Sequence, residues 1–170
     1  MILGKEYFKR SAKELAPDLV GKLLCRRIGD KIFKARILET ECYFGEEDSA
    51  CHAHKGKTPR TLTLYHEGGI SYVYLCYGMH SLLNFVTGDE SHPEAVLIRG
   101  VEGASGPGRV TKLLGISRDD NAIHLTPESG IWVEEDGEKP PKIERLPRVG
   151  IDYAKKRDRD RRWRFLAKQS

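Results

Sequence analysis

The chain has 170 residues, 39% of them apolar and 32% charged. That balance suits one soluble globular domain with its own core and excludes a disordered or low-complexity chain. No apolar run approaches the roughly 18 residues of a membrane span, and the opening MILGKEYFKR lacks the apolar stretch of a signal peptide. The net charge of +4 is unevenly placed: eight Lys or Arg against two Asp between Lys155 and Lys168 give +6, leaving about −2 elsewhere. A basic terminus on a near-neutral body is a footprint for phosphate contact; a solvated, unstructured tail is the competing expectation. Cys25, Cys42, Cys51 and Cys76 form no C-x-x-C pair. They read as reduced, mostly buried thiols of an intracellular protein, cytoplasmic or nucleoid-associated if the source is prokaryotic.

In chain order, Ser11-x-x-Glu14 has the form of a capping box and predicts a short helix through Leu15, with Pro17 preventing a longer one. Lys22 to Ile28 reads as a strand and Gly29-Asp30 as a tight turn. Lys31 to Phe44 alternates, Phe33, Ala35 and Ile37 against Lys34 and Arg36, and completes a hairpin. Asp48 or Ser49 is expected to cap a short helical turn carrying Ala50, Cys51 and His52. Thr58-Pro59-Arg60 is a loop made basic by Lys55 and Lys57. Ile70 to Cys76 is a strand with Tyr72 and Tyr74 on one face, Tyr77-Gly78 a turn, and Ser81 to Thr87 the returning strand. Ala95 to Ile98 is the strongest buried-strand run and ends at Arg99. Proline near the start of Ser105-Gly106-Pro107 opens a helix through Leu114. Ile131 to Val133 is a late strand, Glu138 to Pro141 a solvated loop, and Trp163 to Leu166 is expected to dock back onto the body. Short hairpin connections make the whole a mixed α/β (α+β) domain over residues 1–170, built around a curved, mostly antiparallel sheet with a protruding hairpin, and ending in a basic segment, 155–168.

Glu39 and Glu41, two apart on a strand, point the same way. Their charges resist joint burial in the ionised form, so one is expected to be tied up structurally and the other to be free as a general base. Two surface acids on an edge strand would leave the same pattern. Cys51-His52 with His54 invites a metal reading, but zinc wants a second compact ligand pair, and the H-x-E…P-C-x-x-C signature of the zinc base deaminases is missing. No metal and no cofactor are expected. The tyrosines fit ordinary sheet packing, except that Tyr77 stands before Gly78 at the tip of a turn, where an exposed ring is a wedge or stacking device of nucleic-acid binders. The residues alone thus reach a carboxylate beside a pocket for a flat aromatic ligand. A non-catalytic lesion- or RNA-binding module, and a metal-dependent hydrolase using Glu39, Glu41, His52 and His54, stand as alternatives.

Taken in order, Glu41-Cys-Tyr43, Gly45-x-Glu-Asp48, His52, Thr58-Pro-Arg60, Tyr72-Val-Tyr74, Tyr77-Gly-Met79 and Asn84 resemble the alkyladenine (3-methyladenine) DNA glycosylases. The likeness continues through Pro93-Glu-Ala-Val-Leu-Ile-Arg99, Gly106-Pro107-Gly108, Arg148-Val-Gly-Ile151 and Trp163-Arg-Phe165, nearly the whole chain. It implies a monofunctional base-excision-repair enzyme, without metal or cofactor, that acts as a monomer on double-stranded DNA containing damaged purines. By matched position, Glu41 is implied to activate water and Arg99 to help position it. Tyr43, His52 and Tyr74 would surround the flipped base, Tyr77 would fill the gap left in the stack, and Asn84 would disfavour the amino group of guanine. Arg60, Lys57, Arg109, Arg161 and Arg162 are candidate backbone contacts. The chain departs from such relatives in a very short Gly103-Ala-Ser105 connection, in Cys42 and Cys51 where alanine is more usual, and in His54-Lys55 within a glycine-rich loop. These bear on pocket dimensions and on lesion range, whether 3-methyladenine, 7-methylguanine, hypoxanthine or ethenoadenine.

Overall fold

The structure, a computed structural model, describes residues 1–169. It begins with a two-residue strand, β1 (Ile2–Leu3), and one helical turn, α1 (Lys5–Phe8), neither of them anticipated from the sequence. Helix α2 (Ala12–Leu19) follows, capped by Ser11, whose Oγ accepts from the Lys13 N–H at 3.2 Å. Glu14 does not complete a capping box. Glu94, 83 residues further on, accepts from Ser11 Oγ at 3.1 Å and from the Ala12 N–H at 2.7 Å. The helix also runs two residues past Pro17, correcting the expected stop. An interior proline costs about 3 kcal/mol, but Leu15 and Leu19 are fully buried and each such side chain contributes about 1.5–3 kcal/mol.

Strands β2 (Leu23–Ile28) and β3 (Lys31–Phe44) form the expected hairpin, with Leu24 opposite Ala35 and Gly29 at φ +59° in the turn. The helical turn foreseen at Ala50 to His52 lies further on, as a 3₁₀ turn over His52–Lys55, and Thr61–Tyr65 forms a second 3₁₀ turn. Strands β4 (Ser71–Cys76) and β5 (His80–Thr87) make the long hairpin, and β6 (Glu94–Val101) returns beside them. The short Gly103-Ala-Ser105 connection folds as β7 (Ala104–Ser105), paired straight back onto β6, before helix α3 (Pro107–Leu113). Two more 3₁₀ turns (Arg118–Asp120 and Pro127–Ser129) precede β8 (Ile131–Glu134), β9 (Ile143–Leu146), α4 (Lys156–Arg159) and β10 (Arg164–Ala167).

One sheet results, in the order β1-β8-β2-β3-β6-β5-β4, with antiparallel pairing throughout. The long β3 pairs with β2 through its first half and with β6 through its second, while β10 pairs with β3 over residues 39–41 and carries β9 on its far side. Alternation divides the sheet's two faces. Cys42, Val73, Leu83, Phe85, Val96 and Ile98 point into the main core with Phe8, Leu15 and Leu19. Tyr72, Val86 and Ala95 point the other way, into a smaller cluster with Cys51, Ala53 and Leu64.

The basic C-terminal segment is built into the body rather than unstructured. Arg161 Nε reaches Asp158 at 3.3 Å and its guanidinium lies 4.6 Å from the centre of the Trp163 ring; Arg164 Nε donates to the Pro147 carbonyl at 2.9 Å. Among the described residues, no helix is long and apolar enough to cross a membrane.

Candidate active site

Cross-strand register sets Tyr72, Asn84, Leu97, Glu41 and Arg164 in a single row across β4, β5, β6, β3 and β10. Beside this row β3 and β6 slip: Glu39 faces Gly100 and Thr40 faces Ile98, leaving Arg99 without a direct opposite. Such bulges re-aim side chains. Here Arg99 Nε lies 3.5 Å from Glu39 Oε2 and 3.8 Å from Glu41 Oε2. Gly100 permits the crossing, since a Cβ there would come within 3.3 Å of Glu39 Cβ.

Glu41 is fully buried. Its Oε1 accepts from the Tyr43 hydroxyl at 2.7 Å and its Oε2 from the Val149 N–H at 2.7 Å. Burial pushes its carboxyl above the ordinary value, opposed by Arg99, the Val149 N–H, the Tyr43 hydroxyl and Arg148. Glu39 is also buried and tied in, with Arg164 Nη1 donating to it at 3.1 Å and Arg99 flanking it, so neither acid is left free, contrary to the expectation from sequence. Arg99 Nε is buried and, among the described residues, has no hydrogen-bond partner.

Above Glu41 opens a cavity of about 870 Å³, lined among others by Tyr43, His52, Tyr72, Tyr74, Asn84 and Arg99. Glu41 lies behind Tyr43, Arg99 and Val149, which line the cavity in its place. The His52 ring meets Tyr74 with centroids 4.5 Å apart at 60°, and its Nδ1 is 2.9 Å from the Tyr72 hydroxyl. Burial, with Arg60 and Lys55 adding to it, pushes His52 down to about 4, so the imidazole is neutral at physiological pH. Burial likewise raises Tyr43 and Tyr74, keeping both phenols protonated. Asn84 Nδ2 donates to the Tyr72 carbonyl at 3.2 Å. The aromatic part of the wall is therefore neutral, with Arg60, Arg99 and Arg109 as charged groups of the lining. His54 turns elsewhere, its Nδ1 on the Glu46 carbonyl at 2.6 Å. Among the described residues no three His, Cys, Asp or Glu side chains gather as metal ligands.

Tyr77 stands at the cavity rim, 94% exposed. Both Tyr77 (φ +52°) and Gly78 (φ +68°) are left-handed, and the Met79 N–H closes the turn on the Cys76 carbonyl at 3.1 Å. Of the five candidate backbone contacts, Arg60 and Arg109 are exposed at the cavity rim. Lys57 sits 5.1 Å from the centre of the Tyr65 ring. Arg162 is exposed, whereas Arg161 is engaged with Asp158. The site residues overlooked in sequence are the Tyr72 hydroxyl, Tyr153 in the cavity wall, the Val149 N–H and the buried Arg148–Asp48 pair. The Arg148-Val149 dipeptide was visible as a motif, but a backbone donor has no side-chain signature to read.

A single α+β domain with an aromatic cavity over a buried carboxylate, rimmed by an exposed ring, defines the class of site. Comparison makes the class particular: the chain belongs to the methylpurine-DNA glycosylase family, whose model matches residues 6–104 and 102–170. It is 44% identical over 183 aligned residues to a protein of Psychrobacter cryohalolentis named "Putative 3-methyladenine DNA glycosylase", covering 90% of this chain and 86% of that one. Proteins of the same name from Borrelia garinii (39% identity; 99% and 97% covered) and Bdellovibrio bacteriovorus (42%; 91% and 89%) are similar in the same way.

Proposed function

We propose that this protein is a monofunctional DNA glycosylase that flips a damaged purine out of duplex DNA and hydrolyses its N-glycosidic bond. The carrying observation is Glu41: an acid hydrogen-bonded from two sides, with Arg99 beside it, under a cavity walled by Tyr43, His52 and Tyr74. A base inside a duplex is out of reach of such a cavity, so it must be extruded at a cost of a few kcal/mol. Each base–aromatic stack offsets about 1–3 kcal/mol of this. Tyr77, projecting from the rim, fills the gap left behind. Alkylation at a ring nitrogen makes the purine cationic, which suits neutral rings and makes it a better leaving group.

As the C1′–N bond breaks, its electron pair leaves with the base. Water bonds to C1′ and gives up its proton to Glu41, leaving a free purine and an abasic sugar. The carboxylate also stabilises the oxocarbenium-like sugar. Arg99 Nε, without a hydrogen-bond partner among the described residues and set 3.5 Å from Glu39 and 3.8 Å from Glu41, is suited to orient that water. Among the described residues no lysine lines the cavity, in keeping with hydrolysis rather than a lyase step through a Schiff base. Asn84, buried beside the Tyr72 carbonyl, is read as the group that rejects the guanine amino group.

The test is base release from methylated duplex DNA under single-turnover conditions, extended to hypoxanthine and ethenoadenine. Wild-type protein is expected to release 3-methyladenine, and Glu41→Gln to bind the same DNA while losing at least two orders of magnitude in rate, the scale of general-base catalysis. A Glu41→Gln protein with undiminished rate would overturn the assigned chemistry. Lesion binding by wild-type protein without any release would leave only a recognition module.

A further inference from the structure

We infer that the buried Asp48–Arg148 pair is a positioning device for the reaction: it holds the Val149 N–H on Glu41. The inference rests on the glycosylase reading above, in which Glu41 is the base. Arg148 is entirely buried, and its guanidinium makes four bonds. Nη1 donates to Asp48 Oδ2 at 2.6 Å and to the Cys42 carbonyl at 2.9 Å; Nη2 donates to Asp48 Oδ1 at 3.0 Å and to the Asp158 carbonyl at 3.1 Å. It also lies 5.0 Å from the ring centres of both Tyr43 and Trp163. Cys42 and Tyr43 directly follow Glu41, so one side chain grips the strand that carries the acid. The next residue along the chain, Val149, supplies the N–H that meets Glu41 Oε2, although Val149 itself is 45% exposed on an open loop.

Asp48 is held in turn by the Phe44 and Ala50 N–H groups at 2.9 and 3.1 Å. A buried ion pair is poor evidence for stability, because desolvation offsets most of the attraction. Its geometric effect is specific: the fork bonds the residue next to Val149 to the Cys42 carbonyl of the Glu41 strand itself, whereas the loop's tie through the Pro147 carbonyl runs to Arg164 on β10. Groups facing Glu41 are Tyr43 and Glu39 on its own strand, Arg99 on β6, Arg164 on β10, Tyr74 on β4, and Arg148 and Tyr153 on the closing loop. Of these, only the Tyr43 hydroxyl bonds Glu41 directly among the described residues, and the Val149 N–H is its other direct donor.

Arg148→Lys keeps the charge and removes the fork. The expected result is a fold-competent protein with near wild-type affinity for lesion DNA and a single-turnover rate lower on the order of tenfold to a hundredfold. The acid limb of its pH–rate profile should move up by about one pH unit, since a lost charge-assisted bond disfavours the carboxylate. The Glu41 side-chain carboxyl, followed by carbon NMR, should titrate at correspondingly higher pH, a readout independent of activity. If wild-type protein releases no base, the glycosylase reading fails while the carboxyl titration still decides this one. Should Arg148→Lys not fold, an ester in place of the Val149 amide removes the same bond with the ion pair intact and must give the same shift. An unmoved Glu41 titration in a folded variant overturns the inference.

Discussion

In the proposed mechanism Glu41 carries a conflict between function and stability that predicts its own signature. Its carboxyl is raised above the ordinary value by burial, so the native state favours the protonated form. By linkage, a raised acid contributes stability that is fully present below its unfolded-state value and lost as pH rises through the folded one. At neutral pH the wild-type protein therefore bears the cost of an ionised, enclosed group. Thermal unfolding should show Glu41→Gln at least as stable as wild type at pH 7, the advantage shrinking as pH falls toward the acid's unfolded-state value; a clearly less stable variant at neutral pH would contradict this. Tyr77 holds a second conflict. A bulky residue in the left-handed region costs about 1–3 kcal/mol, and 94% of this ring faces solvent with nothing to compensate. Tyr77→Asn, which tolerates that backbone, should raise the melting temperature slightly and slow excision from duplex DNA about tenfold or more, the value of one stack. A fall in stability would mean that the ring supports the hairpin.

At the scale of elements, strands written in a period of two were readable, β2 with β3 and β4 with β5, because their alternation is local and their turns carry Gly29 and Gly78. β9 (IERL) has no such pattern and exists by pairing with β10, so only the folded chain reveals it. The same holds within the site. Glu41, Tyr43, Tyr74 and Arg99 were legible as side chains, whereas the bulge that turns Arg99 between two acids depends on a register slip between strands almost 60 positions apart. The His52 turn begins two residues later than expected, although Asp48 accepts from the Ala50 N–H while its carboxylate also holds Arg148. The terminal elements change what the basic residues are for. Arg161 is spent on Asp158 and the Trp163 ring, while Arg162 offers its guanidinium to solvent with one long bond, 3.5 Å, to the Arg145 carbonyl. Arg162→Ala should weaken binding to damaged and undamaged DNA alike and flatten the salt slope by about one. Arg161→Ala should lower thermal stability and leave that slope nearly unchanged; equal slopes for both variants would show that the pairing with Asp158 does not decide their roles.

Across the whole molecule, the site is a meeting of distant parts of the chain. The walls and the acid come from residues 39–84, Arg99 from the next strand, and the closing contacts from residues 148–164. The sheet makes this possible by giving β3 three partners, so that one strand gathers segments from both halves of the sequence. A fold so dominated by non-local antiparallel pairing belongs with the slower, millisecond-to-second folders. The amide that holds Glu41 lies 108 positions downstream of it. At translation rates of about 5–20 residues per second, the acid is made on the order of 5 to 20 s before its partner. The acid thus waits for its partner: Val149 and Tyr153, which also line the cavity, are made only after strands β1 to β9.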